Sequence, residues 1–261
     1  MRFSFRTATL ALIITGIALF GAAIDKTYDV STAVIVGPAS PDSPKLVTES
    51  WGFEAGEGFA PGFISGQAGW TVFSGSVVEG HIDTANPHVG TQHLRISLDP
   101  AAAGGTSIGA FSPSVTDPVV DASAVFVYVA IGDVGGADYD VVLQAPSQSL
   151  LTVRVKFSYL GDILILDDVG AGLVYVDTGV DWVVGSYNLL EIYIDPIGNT
   201  IVYDYAAASL YTSVAGVFAG TVVEQVVFLC DNWNVAESGD FDDLTIDRGG
   251  VPVELQSFDI D

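Results

Sequence analysis

One cysteine, Cys230, is all that a chain of 261 residues provides, so no intramolecular disulfide can form and the core or a bound ion must hold the fold together. Cys230 closes the apolar run VVEQVVFLC, where it reads as a small buried hydrophobe. Basic residues are also scarce: 8 Lys and Arg stand against 32 Asp and Glu, a formal charge of -24. This excess repels nucleic acid and anionic lipid over long range, and leaves a neutral glycan, a cation or another protein as partners. Beyond the N-terminus the chain lacks any amphipathic stretch of helical period and normal length, and it lacks a repeat of fixed period. Also missing are G-x-S-x-G, HExxH, a P-loop, an EF-hand loop and an RTX repeat. A non-catalytic module is therefore the first reading, and an enzyme the second.

What is abundant points to β-structure. There are 29 Gly and 11 Pro, with 49% hydrophobic but only 15% charged residues, a composition suited to many short strands joined by tight turns. Residues 1–23 read as a secretory signal peptide: Arg2 and Arg6 open it, an apolar run follows from Leu10 to Phe20, and Gly21-Ala22-Ala23 supplies small residues for cleavage. The rival reading is an uncleaved anchor, although the apolar run falls short of the ~20 residues of a comfortable span. No later run of that length is free of polar residues, so the mature chain carries no further membrane span. Residues 24–50, with GPASPDSPK, read as a linker, residues 51–248 as one domain and residues 249–261 as a tail. The expected location is secreted or cell-surface.

Within the domain, strand period tells which faces are covered. In LLTVRVKFSYL, Leu151, Val153, Val155 and Phe157 share one side, and Thr152, Arg154, Lys156 and Ser158 share the other. That alternation predicts a half-buried strand whose basic pair is solvated opposite acidic neighbours. NLLEIYIDP and IVYDYAA flank the turn residues of IGNT and read as a hairpin. AVFVYVAI is apolar on both faces, as a central strand requires. In FDDLTI the period places Asp242 on the side of Leu244 and Ile246, where an inward carboxylate needs a cation or several hydrogen-bond donors.

WGFEAGEGFAPGFISGQAGW at residues 51–70 and GDFDDLTID at residues 239–247 resemble the first and last strands of concanavalin A-like lectin/glucanase jelly rolls, a group that includes laminin-G-like and carbohydrate-binding modules. The resemblance implies an all-β fold, an antiparallel β-sandwich in which the two end strands lie side by side, and it implies carbohydrate as the partner. It also implies a structural Ca²⁺ shared by Glu54 of the FE strand and Asp242 of the closing DD strand, with Asp243 as a further ligand. Oxygen donors suit such a hard cation. The tail VPVELQSF resembles the connector that precedes sorting domains in some bacterial secreted proteins.

Sugar binding needs open aromatic rings beside planar polar groups. Trp182 in VDWVVGSYN, Trp233 in CDNWNVAESG, and Tyr193 on the polar side of its strand are the candidates; Trp51 and Trp70 belong to the core. His81, His88 and His93 fall in one short stretch without standard zinc spacing. A glycoside hydrolase or polysaccharide lyase of the same fold is the alternative, as is a purely structural or adhesive envelope protein. Against the hydrolase, the E-x-D-x-x-E run of the related glucanases is absent, and EIYID offers only Glu191 and Asp195 on one face.

Overall fold

The computed structural model describes residues 30, 35 and 49–248, apart from 74–78, 116–121, 215–216, 219 and 234–237. The predicted signal peptide and C-terminal tail lie outside the described residues. Two antiparallel sheets form a sandwich. The first runs β14 (Ala208–Thr212), β13 (Thr200–Tyr205), β12 (Asn188–Asp195), β7 (Ser123–Ile131), β16 (Ser238–Arg248), β5 (His93–Ser97), β4 (His81–Asp83) and β2 (Gly62–Phe63), with β1 (Glu49–Trp51) also on β16. The second runs β11 (Leu173–Asp181), β10 (Asp162–Asp168), β9 (Leu150–Phe157), β8 (Tyr139–Ala145), β15 (Gln225–Cys230), β6 (Ile108–Phe111) and β3 (Thr71–Val72). Two short 3₁₀ turns are the only helical elements among the described residues, and no helix there is long and apolar enough to cross a membrane.

The alternation read in the sequence accounts for this core. β7 sits between β12 and β16 and points Val125, Val127, Val129 and Ile131 inward; the predicted hairpin forms, pairing Leu190 with Tyr205 and Ile194 with Ile201. The end motifs do meet, with Trp51 opposite Leu244. β16 is not an edge strand, however, because β7 flanks it on one side and β5, then β1, on the other. Aromatic rings from both motifs join the sheets: Trp70 packs edge-on against Trp51 and Phe53 at 5.8 and 5.3 Å, and Phe228 of β15 stacks on Trp70 and on Phe241 of β16.

Two expectations need correction. Ile35, in the predicted linker, packs on the outer face of the second sheet, where its N–H and C=O bond the side-chain amide of Gln144, and β1 begins at Glu49. That outer face is itself covered. Phe111, Val142, Leu166, Val227 and Leu229 form a second apolar cluster on it, packed against Phe73, Tyr175 and Phe218. Arg154 and Lys156 are consequently buried ion-pair partners, not solvated charges: Arg154 Nε lies 2.8 Å from Asp140, and Lys156 Nζ lies 2.8 Å from Asp140 and 3.6 Å from Asp138.

Candidate functional site

The residues of the two end motifs converge on one connection. Glu54 Oε1 accepts the N–H groups of Thr91 and Gln92 at 2.7 and 3.0 Å, and its Oε2 accepts the Thr91 hydroxyl at 2.6 Å. Asp242 Oδ2 accepts the N–H groups of His88 and Val89 at 2.9 and 3.4 Å, while its Oδ1 takes the N–H of Asp243. Asp243 Oδ2 lies 2.8 Å from His88 Nδ1. Between these anchors Gly90 has φ +75°, and a Cβ there would fall 2.2 Å from Glu54 Oε1, so only glycine lets the carboxylate come this close. Residues 88–92 are thus held at both ends by carboxylates from opposite ends of the domain.

Asp242 does not face the interior as strand period predicted. A bulge between Asp242 and Thr245, with Asp243 at φ 49°, inserts one extra residue, so Asp242 lies opposite Tyr128 on the outer face while Leu244 stays in the core. It is fully buried all the same, because the 88–92 connection crosses over it. Burial and the charge of Asp243 push its carboxyl up to about 6, against the pull of the three N–H bonds. Glu54 is affected in the opposite sense: slight burial works against it, but the Thr91 and Gln92 bonds hold it below the usual carboxylate range.

His88 is thereby laid flat on Tyr128 of β7, with ring centroids 3.6 Å apart. The outer face of the first sheet continues on either side of this pair. Toward β4, Arg95 bridges Asp240 at 2.6 and 2.8 Å and Asp83 at 2.5 Å, and fully buried His93 places Nε2 3.4 Å from Asp240. Burial works against the Asp240 carboxylate, yet the Arg95 bonds and the nearby His93 ring keep it below the ordinary range. Tyr187 lies edge-on to His93, its phenol pushed up by burial and by Asp240 and Asp242, and its buried hydroxyl makes no hydrogen bond among the described residues. Toward β12, Tyr193 packs edge-on against Phe126 and donates its hydroxyl to Glu191 at 2.8 Å; burial and Glu191 push that phenol up. Composition alone gave no sign of this His, Tyr and Asp cluster. The polar alternation of HLRI and GDFDD was its only trace.

Of the predicted sugar contacts, Trp182 is closed to stacking: it is 5% exposed and its indole N–H donates to the Ser158 carbonyl at 3.0 Å. The VDW run reads as a strand end, but the loop folds the ring inward to satisfy that carbonyl. Tyr193 is on the outer face, largely covered by its neighbours. Trp233 is open, at 44% exposure, where the β5–β6 and β15–β16 connections meet. Gly104 and Gly105 lie under its ring, and a Cβ on Gly104 would come within 2.8 Å of the indole. With Leu98, Asp99, Pro100, Ala102 and Asn232 the ring lines a pocket of about 320 Å³. The buried Asn232 amide fixes this pocket, accepting the Asp99 N–H and donating to the carbonyls of Asp99 and Ala102 at 2.8, 3.0 and 3.1 Å.

Among the described residues no group of three or more His, Cys, Asp or Glu is placed to hold a metal ion, and the three histidines face three different carboxylates. No protein-family model and no curated protein sequence matches the chain. Among solved structures, a sialidase superposes on 74% of this chain with a TM-score of 0.51 at 10% identity, and the match spans only 19% of that protein. The carbohydrate recognition domain of Emp47p covers 72% of this chain and 94% of its own at 8% identity, TM-score 0.47; a Bacillus licheniformis β-glucanase covers 69% and 92% at 11% identity, TM-score 0.44. The fold is that of the concanavalin A-like lectin/glucanase jelly rolls. At such identities the likeness extends to architecture alone.

Proposed function

We propose that this chain is a secreted, non-catalytic carbohydrate-binding module that takes its glycan at the Trp233 pocket, at a cell surface or in an extracellular matrix. One observation carries the reading: an indole 44% exposed walls a pocket of about 320 Å³ beside Asp99, giving a pyranose ring an apolar platform and its hydroxyls a planar acceptor. The neighbours in fold include a carbohydrate recognition domain and a glucanase, which is consistent with a sugar ligand. The second location is the row Tyr128, Phe126 and Tyr193 on the outer face of the first sheet, where Glu191 and Asp204 supply acceptors. The rival, catalysis at the Tyr187, His93 and Arg95 cluster, is weakened by the burial of His93 and by the pairing of Arg95 with two carboxylates. A glycan array probed with the protein and with Trp233→Ala and Tyr128→Ala tests this reading. The Trp233 variant is expected to lose about 1–3 kcal/mol of binding with its folding intact; undiminished binding by that variant would refute it.

The same module is proposed to carry a structural Ca²⁺ beside the 88–92 connection. The donors there fit in kind. They are all oxygen, Glu54 Oε2 and Asp242 Oδ1 each accept one hydrogen bond among the described residues, and the Asp243 and Glu57 carboxylates both lie within 4 Å of where a Gly52 Cβ would sit. Backbone carbonyls would have to complete the shell, given that no three acidic side chains converge among the described residues. A melting temperature that falls in EDTA and recovers with added Ca²⁺ is expected; an unchanged one would exclude the ion.

A further inference from the structure

We infer that the Trp233 pocket selects a glycan bearing a protonated amine, an amino sugar, over its neutral or acidic counterparts. This deepens the proposed function and rests on it. Three observations point the same way. The wall is an indole, the side chain whose ring face attracts a cation most strongly. Asp99 lines the pocket, and of its two carboxylate oxygens the described bonds use Oδ1, which accepts the Ala101 N–H at 2.9 Å. Among the described residues the lining contains no Lys, Arg or His.

The surroundings strengthen the selection. Of the 8 basic residues in the sequence, Arg2, Arg6, Lys26 and Lys45 precede the domain, Arg248 is the last residue of β16, and Arg95, Arg154 and Lys156 are each ion-paired with carboxylates of the sheets. The pocket therefore opens into a field set by a formal charge of -24, which concentrates cations at its mouth and disperses uronates and sulfated sugars. A pyranose lying on the indole could present an equatorial ammonium to Asp99 without giving up the stacking contact. An N-acetyl group at the same position keeps the stack but loses the charge.

The structure also supplies the probe. Trp51, Trp70 and Trp182 are 4%, 0% and 5% exposed, so a ligand-induced change in tryptophan emission reports Trp233. The experiment titrates the full chain at about pH 6 with a glucosamine tetramer and with its fully N-acetylated equivalent, at ~10 mM and ~500 mM salt, a range over which the screening length shrinks severalfold. The expected result is a Kd about tenfold lower for the free amine at low salt, narrowing to about twofold at high salt. Asp99→Asn, whose amide oxygen can still accept the Ala101 N–H, should erase that preference while keeping the acetylated tetramer bound. Trp233→Ala, which also removes the emission reporter and is therefore followed by titration calorimetry, should weaken binding of both tetramers at least about fivefold. Equal binding of the two tetramers, or a preference indifferent to salt, overturns the amine selectivity and leaves the glycan reading intact. Emission that responds to neither tetramer also overturns the selectivity, and a glycan array that is likewise silent brings down the glycan reading with it.

Discussion

Replacing Asp140 by Asn should be among the most damaging single changes in the second sheet, and the structure shows why. Asp140 on β8 lies opposite Lys156 on β9, and its two oxygens serve different cations: Oδ2 takes Arg154 Nε at 2.8 Å and Oδ1 takes Lys156 Nζ at 2.8 Å. With Asp138, 3.6 Å from Lys156, they form a neutral quartet whose side chains are between 2 and 9% exposed. An amide at position 140 removes one of the two carboxylates of this quartet while both of its cations stay buried. Removing one partner from such a group costs about 3–5 kcal/mol. In a domain of this size each kcal/mol lowers the melting temperature by about 2–4 °C, so a fall of about 6–20 °C is expected. Urea denaturation and thermal melts at neutral pH measure it, and Asp140→Asn/Lys156→Met should regain a good part of the loss because the surplus charge leaves with the lysine. The acid limb gives a second reading. Burial works against the Asp140 carboxylate, but Arg154 and Lys156 hold it below the usual range, so its stabilisation is complete above the unfolded pKa and fades as pH falls through the lower folded value. Wild type should therefore lose stability more steeply than the variant below about pH 4. A cost under about 1 kcal/mol, or parallel acid limbs, would mean that water reaches the quartet and that the outer face is not closed.

Three further outcomes follow from single residues. Gly90→Ala combines a positive φ with a Cβ that would sit 2.2 Å from Glu54 Oε1, so it should displace that carboxylate and cost about 1–3 kcal/mol in denaturant melts; a neutral effect would show that the Glu54 bonds do not hold the connection. Trp70→Ala empties the centre of the aromatic bridge between the sheets and should cost about 3–5 kcal/mol, whereas Trp70→Phe should cost clearly less, because the buried indole N–H makes no hydrogen bond among the described residues. Cys230 is 1% exposed, so the native protein should remain monomeric on a non-reducing gel and react with a thiol reagent only after unfolding; rapid labelling of the folded chain would contradict its position in β15.

What the sequence revealed and what it hid divide along a physical line. Period-two alternation and turn chemistry are local, and they located β7 and the β12–β13 hairpin, whereas the meeting of the two end strands was implied by the resemblance of their motifs to concanavalin A-like jelly rolls. The parity of Asp242 was misread because a single extra residue reverses every later face, and no residue type in FDDLTI announces a bulge; Asp243 adopts positive φ as an ordinary aspartate. Arg154 and Lys156 looked solvated because a lone strand cannot show what lies across its polar side. Only the assembled sheet brings Asp138 and Asp140 beside them, with Tyr175 5.4 Å from the ammonium. His88 was hidden in the same way, since its place on Tyr128 depends on carboxylates that lie far away along the chain.

That dependence gives the end motifs a role beyond pairing two strands. Glu54 and Asp242 together receive four N–H groups of the 88–92 connection and the Thr91 hydroxyl, donors that a crossing loop could not otherwise satisfy once packed on the sheet. Each bond to an ionised carboxylate is worth more than a neutral one, so the pair can hold an irregular segment without a disulfide, in a chain whose only cysteine is buried elsewhere. The arrangement leaves an excess of negative charge. Asp242 registers it as a carboxyl pushed up to about 6 by burial and by Asp243, and Glu57 adds a further carboxylate nearby. A clamp of this kind is complete in hydrogen bonds and incomplete in charge. The proposed Ca²⁺ would therefore act mainly by neutralising the clamp, and it would set how firmly His88 is held against Tyr128.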